Sequence, residues 1–124
     1  MFTATVNNPQ NTFPRESRLL APRQFAFVFE KAIPAVSPSI TLLARHNDIS
    51  HPRLGITVAK KKVKLAVQRN RIKRCIRESF RLHAHTLPNV DIIVVGKQGL
   101  GKLDNASIHA QLERLWGRLI KRCQ

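Results

Sequence analysis

Between Lys60 and Arg81 the chain carries ten basic residues and a single acid, Glu78. That one-sided run is the strongest chemical feature of the sequence. Ammonium and guanidinium groups at this density suit the phosphates of a polyanion, and a guanidinium can grip two phosphate oxygens at once. Within the run, Arg69-Asn70-Arg71 sets an amide between two such forks, a combination able to clamp phosphates and to donate to base edges or 2′-hydroxyls. Arg69, Lys73 and Arg77 stack like charges at i, i+4, each pair costing an isolated helix ~0.2–0.5 kcal/mol. An anion relieves that cost; solvent alone does not. Phe25 and Phe29 are the aromatic candidates; their helical spacing is more often that of a core stripe than of a base-stacking platform, and the sequence alone does not separate the two.

Other chemistries find few residues. The acids are Glu16, Glu30, Asp48, Glu78, Asp91, Asp104 and Glu113, and no two form a convincing catalytic pair. Glu78 is expected to pair with Arg74 or Arg81 along its own helix. Phosphate-loop, nucleophile-elbow and zinc-protease motifs are absent, and Gly96, Gly99 and Gly101 have the wrong order for a dinucleotide fingerprint and read as a strand-to-helix connection. His83 and His85, two apart, do not share a helical face and have no acidic or cysteine partner nearby in sequence, so they read as solvated residues rather than metal ligands. Cys75 and Cys123 lack any CxxC spacing, and no disulfide is expected.

The elements that must position these groups follow from periodicity. From Pro22, the spacing of Phe25, Val28 and Phe29 predicts a short helix that ends before Pro34. Pro34 and Pro38 bracket an edge-like piece, Ile40 to Arg45 reads as a strand, and His46 to Pro52 as its turn. Arg53 to Ala59 is a second strand with Leu54, Ile56 and Val58 on a bulky face and Gly55, Thr57 and Ala59 on a small one. A helix over Leu65 to His83 has Ile72, Cys75, Ile76, Ser79 and Phe80 as its apolar stripe, with Arg69, Lys73, Arg74, Arg77 and Arg81 on the adjoining arc. Val90 to Gly96 reads as a buried strand. A closing helix carries Ile108, Leu112, Leu115, Trp116, Leu119 and Ile120, capped by Asp104 or Asn105.

Composition bounds the partner. Lys+Arg number 22 and Asp+Glu 7, giving +15 over 124 residues. Such self-repulsion is tolerated where a polyanion neutralises it, and nucleic acid is the commonest polyanion. A hydrophobic share of 43% argues for a folded domain rather than a basic tail. No stretch approaches the ~20 apolar residues of a membrane span, and Met1 to Gln10 lacks the pattern of a signal peptide, so a cytoplasmic protein without a membrane partner is expected. Residues 1–12, polar and Asn-rich, are expected to form a flexible arm before a single domain over 13–124.

Two stretches then become diagnostic: Arg53-Leu-Gly-Ile-Thr-Val-Ala-Lys-Lys61, and Ala66-Val-Gln-Arg-Asn-Arg-Ile-Lys-Arg-Cys-Ile-Arg-Glu-Ser-Phe-Arg81. With Phe13-Pro-Arg-Glu-Ser-Arg-Leu-Leu20 and the Phe25-x-x-Val28-Phe29 spacing, they closely resemble the protein component of bacterial ribonuclease P. The resemblance spans Phe13 to Lys121. It implies an α+β fold in a single compact domain: a four-stranded, mostly antiparallel sheet packed with about three helices, with a left-handed β-α-β crossover. It implies a subunit that binds the catalytic RNA subunit and the 5′ leader of precursor tRNA, with no obligate protein partner. The RNA would hold the Mg²⁺ ions and cut the leader, so no catalytic residue or metal ligand is expected in the protein. Carried over by position, Lys60, Lys61, Lys62, Arg69, Asn70, Arg71, Lys73, Arg74 and Arg77 would contact the RNA subunit, while Arg18, Phe25 and Phe29 would contact the leader. In the first long strand, where many relatives offer an aromatic, this chain has Ile40, Leu42 and Leu43. The competing functions are a ribosomal-type structural protein that binds ribosomal RNA, and a nuclease acting without any RNA subunit.

Overall fold

Proline at its first position pre-sets the helical backbone of α1 (Pro22–Glu30). Gln24 reaches back from the first turn, its Oε1 accepting from the Leu20 and Ala21 amides at 2.6 and 2.8 Å. A computed structural model describes residues 14–124; the arm expected over 1–12 lies outside them. The strands are β1 (Ile33–Val36), β2 (Ile40–His46), β3 (Arg53–Thr57) and β4 (Val90–Gly96), with α2 (Ala66–His83) between β3 and β4 and α3 (Asn105–Arg122) closing the chain. The edge-like piece expected between Pro34 and Pro38 is an edge strand over Ile33–Val36 that ends before Pro38. The second predicted strand stops at Thr57, although Val58 beyond it is still buried in the core.

The sheet order is β1-β2-β4-β3. β1 with β2 and β2 with β4 are antiparallel, whereas β3 and β4 are parallel neighbours joined through α2. Alternation sorts the side chains by face. Ile40, Leu42 and Ala44 of β2, Leu54 and Ile56 of β3, and Ile92 and Val94 of β4 meet α2 and α3 in the main core. On the other face Ile93 joins Leu19 and Val28 in a smaller core, with Phe25, Leu43 and Val95 packed against it. Covered on both sides, β4 has the continuous apolar character its sequence suggests. Asp91, its one charge, is 1% exposed. Arg53 grips it bidentately (Nε to Oδ1 2.8 Å, Nη2 to Oδ2 2.7 Å) and Asn47 donates to Oδ1 at 3.0 Å.

The predicted stripe of α2 is the buried one: Ile72, Cys75, Ile76, Ser79 and Phe80. Ser79 is its polar exception, and its Oγ accepts from Trp116 Nε1 of α3 at 2.8 Å. Glu78 departs from expectation. Its partner is His109 of α3, 3.3 Å away, not Arg74 or Arg81; it lies on the flank of α2 that faces α3, where the His109 imidazole comes within reach. His83 likewise meets Glu113 of α3 at 3.7 Å, an acid that is 30 residues distant along the chain and therefore invisible to spacing. Cys75 and Cys123 are buried free thiols, and burial raises the pKa of both.

Asp104, rather than Asn105, caps α3, accepting from the Ser107 amide at 2.8 Å. That hydrogen bond favours the ionised carboxyl and lowers its pKa. A depressed folded-state pKa contributes stability that is present above the unfolded value and is lost as pH falls through the folded one. Amide protection in the first turn of α3, taken relative to the intrinsic exchange rate at each pH, is therefore expected to fall at acid pH, and Asp104→Ala to remove that pH dependence.

Candidate nucleic-acid interface

The second half of the basic run is displayed by α2, whose apolar stripe fixes its rotation against the sheet. Asn70, Arg74 and Arg77 are exposed and Lys73 is half-buried. None of these four makes a side-chain hydrogen bond or ion pair among the described residues. The three cations among them have no ion-pair partner among the described residues.

Arg69 and Arg71 are used differently. The Arg69 guanidinium turns back on the preceding loop and donates to the carbonyls of Val63 and Lys64 at 2.9 and 2.8 Å. Arg71 reaches instead toward the turn before α3, where it donates to Asn105 Oδ1 (2.7 Å), Gln68 Oε1 (2.9 Å) and the Gly101 carbonyl (3.3 Å). Lys60, Lys61 and Lys62 lie exposed in the turn before α2, anchored by buried Val63, whose amide and that of Lys62 both donate to the Ala59 carbonyl.

Lys73 and Arg77 converge with two of the three predicted leader residues. A trough of about 370 Å³ is lined by Arg18, Phe25, Gly55, Lys73 and Arg77, with Leu19, Leu20, Leu54 and Ile56 completing its walls. Its outer rim is the segment that runs beside β3, where Arg18 bridges to Leu54 and the Leu19 amide donates to the Leu54 carbonyl at 3.0 Å. Gly55 is what lets Phe25 settle on the sheet. A Cβ there would lie 2.7 Å from Phe25 Cε2 and 3.2 Å from Leu19 Cβ. Gly55→Ala is therefore expected to push the Phe25 ring into the trough and cost ~1–3 kcal/mol of stability by overpacking. Urea unfolding checks the cost.

Phe29, the third predicted residue, is not part of this trough; it is 52% exposed. The stripe that includes Phe25, Val28 and Phe29 spans more arc than the sheet covers, so Val28 is buried, Phe25 half-buried and Phe29 left outside. Phe27 carries the Arg45 guanidinium 3.9 Å from its ring centroid, with Glu30 accepting from Arg45 at 3.0 Å. In β2, Ile40 and Leu42 face the main core and only Leu43 faces α1. Spacing did not reveal Gly55, Leu54 or Leu20 as trough residues, because the pairing that assembles them joins segments 36 residues apart.

Among the described residues no three His, Cys, Asp or Glu side chains converge as a metal site would require, and no helix is long and apolar enough to cross a membrane. A basic α+β domain with an unneutralised helix beside an aromatic-walled trough has the construction of a nucleic-acid-binding protein. Similarity to known proteins specifies which. Residues 13–120 match the family Ribonuclease P. The ribonuclease P protein component of Pseudoalteromonas atlantica is 63% identical over 115 residues, 93% of this chain and 96% of its own. That of Pasteurella multocida is 54% identical over 112 residues, 90% and 94% of the two chains. The solved RNase P protein of Staphylococcus aureus has a TM-score of 0.78 at 31% identity, covering 84% of this chain and 97% of the other. For the Thermotoga maritima protein the values are 0.73 and 30%, covering 82% and 96%. The chain belongs to the ribonuclease P protein family.

Proposed function

We propose that this chain is the protein subunit of a cytoplasmic ribonuclease P ribonucleoprotein: it binds the catalytic RNA and holds the 5′ leader of precursor tRNA while the RNA removes it. The observation that carries this reading is the coincidence of family similarity along residues 13–120 with an aromatic-walled trough at which Lys73 and Arg77 present side chains that make no hydrogen bond or ion pair among the described residues. In the trough, Phe25 offers a face to an unpaired base while Arg18, Lys73 and Arg77 hold its phosphates. Asn70, Arg74 and the loop lysines Lys60, Lys61 and Lys62 face the RNA subunit. The ribosomal reading is not favoured, since the matched relatives are ribonuclease P proteins along nearly their whole length.

The cut itself belongs, in this reading, to Mg²⁺ held by the RNA. Five of the seven acids are engaged within the fold: Asp91 with Arg53, Asp104 at the cap of α3, Glu30 with Arg45, and Glu78 and Glu113 with histidines. The protein's contribution is electrostatic. Its surface offsets repulsion between leader and ribozyme phosphates, which raises substrate affinity and metal occupancy. Cleavage of precursor tRNA by the RNA subunit, followed across Mg²⁺ concentrations with and without the protein, tests this. The protein is expected to lower both the Mg²⁺ requirement and the Michaelis constant. If it leaves both where they were, the reading fails.

A further inference from the structure

A second groove, of about 250 Å³, lies on the other flank of α2 from the trough and shares no residue with it. One wall is the loop before α2, with Lys62 and Lys64; the other is the turn before α3, with Gly99, Gly101 and Lys102; Gln68 of α2 is the floor. The lining contains three lysines and no acid. The two arginines of the Arg69-Asn70-Arg71 motif brace it. Arg69 holds the first wall by the carbonyls of Val63 and Lys64. Arg71 holds the second by Gly101 and Asn105, and its bond to Gln68 Oε1 leaves the amide nitrogen of that side chain as the group able to donate. Gly99, at φ +91°, would meet nothing within 4 Å of an added Cβ, so the backbone at this wall is open to close approach by a ligand. The turn carries no side chain there, and its left-handed backbone suits glycine.

We propose that this lysine-lined groove seats a phosphodiester segment of the RNA subunit, and that Arg69 and Arg71 are positioning residues that set its two walls rather than phosphate ligands themselves. The inference rests on the functional reading above and refines how the RNA subunit is held. Lysine point charges with amide donors and no competing acid match a phosphate backbone. The leader already has a place on the opposite flank, which assigns this groove to the larger RNA. Exposed Leu65, at the mouth, adds an apolar rim for a sugar.

The test is binding of the full chain to the transcribed RNA subunit across a salt series. Lys62→Gln/Lys64→Gln/Lys102→Gln is expected to flatten the log–log salt dependence by about 2 to 3, because each phosphate that a lysine no longer neutralises takes ~0.7–0.9 from the slope. An unchanged slope overturns the groove. A slope that flattens only for isolated precursor tRNA also overturns it, because the occupant is then the substrate. Arg71→Lys separates bracing from charge. It keeps the cation but cannot span Asn105, Gln68 and Gly101, so it is expected to bind as weakly as Arg71→Ala, and neutral Asn105→Ala to weaken binding in the same direction. Wild-type affinity in Arg71→Lys overturns the positioning role. Failure of the wild-type chain to bind the RNA at all sinks the functional reading instead, so the two failures are distinguishable.

Discussion

Replacing Lys73 and Arg77 together by alanine is expected to weaken the holoenzyme's hold on leader-bearing precursor tRNA by about 30-fold and to leave a leaderless tRNA bound as before. Both side chains line the trough and neither has a partner within the described protein, so their removal opens no cavity and orphans no buried acid. Each exposed charge–phosphate contact contributes ~1 kcal/mol at moderate salt, and two make ~2 kcal/mol, which is the stated factor. The measurement is equilibrium binding of matched substrates with and without a leader. Equal losses on both substrates would move these two residues from the leader to the RNA subunit, where position along the family pattern alone would put them.

The second large effect concerns stability. Trp116 is 1% exposed, meets Phe80 edge-on at 6.1 Å between ring centroids, and donates to Ser79 Oγ at 2.8 Å. Trp116→Ala removes the largest fully buried side chain and is expected to cost ~3–5 kcal/mol. For a domain near 100 residues that lowers Tm by roughly 15 °C or more. Trp116→Phe keeps most of the volume but strips the Ser79 hydroxyl of its donor, at a cost of ~1–3 kcal/mol. Thermal unfolding of the two variants should rank them in that order. If Trp116→Phe is as stable as the native chain, the indole hydrogen bond contributes nothing and α2 and α3 are held by apolar contact alone.

The elements were legible wherever one periodicity dominated. Strict 3.6-residue spacing in Ile72, Cys75, Ile76, Ser79 and Phe80 predicted the buried face of α2, and thereby where the cations of the adjoining arc must lie. Alternation in Leu54, Gly55, Ile56 and Thr57 separated the two faces of β3. What periodicity could not supply was pairing between distant segments. It assigned Glu78 to its own helix because neighbours along α2 are the only partners a helical repeat can offer, whereas His109 arrives from α3. It placed Phe29 with Phe25 because they share a repeat, though the sheet is too narrow to cover both. The same gap hid Arg71's bonds to Gly101 and Asn105, 30 and 34 residues onward, and with them the second groove.

The most direct test of the central claim maps where the leader lies. Precursor tRNA with photoreactive uridines in the leader is assembled with the RNA subunit and this chain, irradiated, and the linked peptides identified. Cross-links should fall on residues 18–25, 54–56 and 73–77, the three segments that meet at the Phe25 trough. Cross-links concentrated instead on the outer face of α3, around Arg114, Arg118 and Lys121, would contradict it.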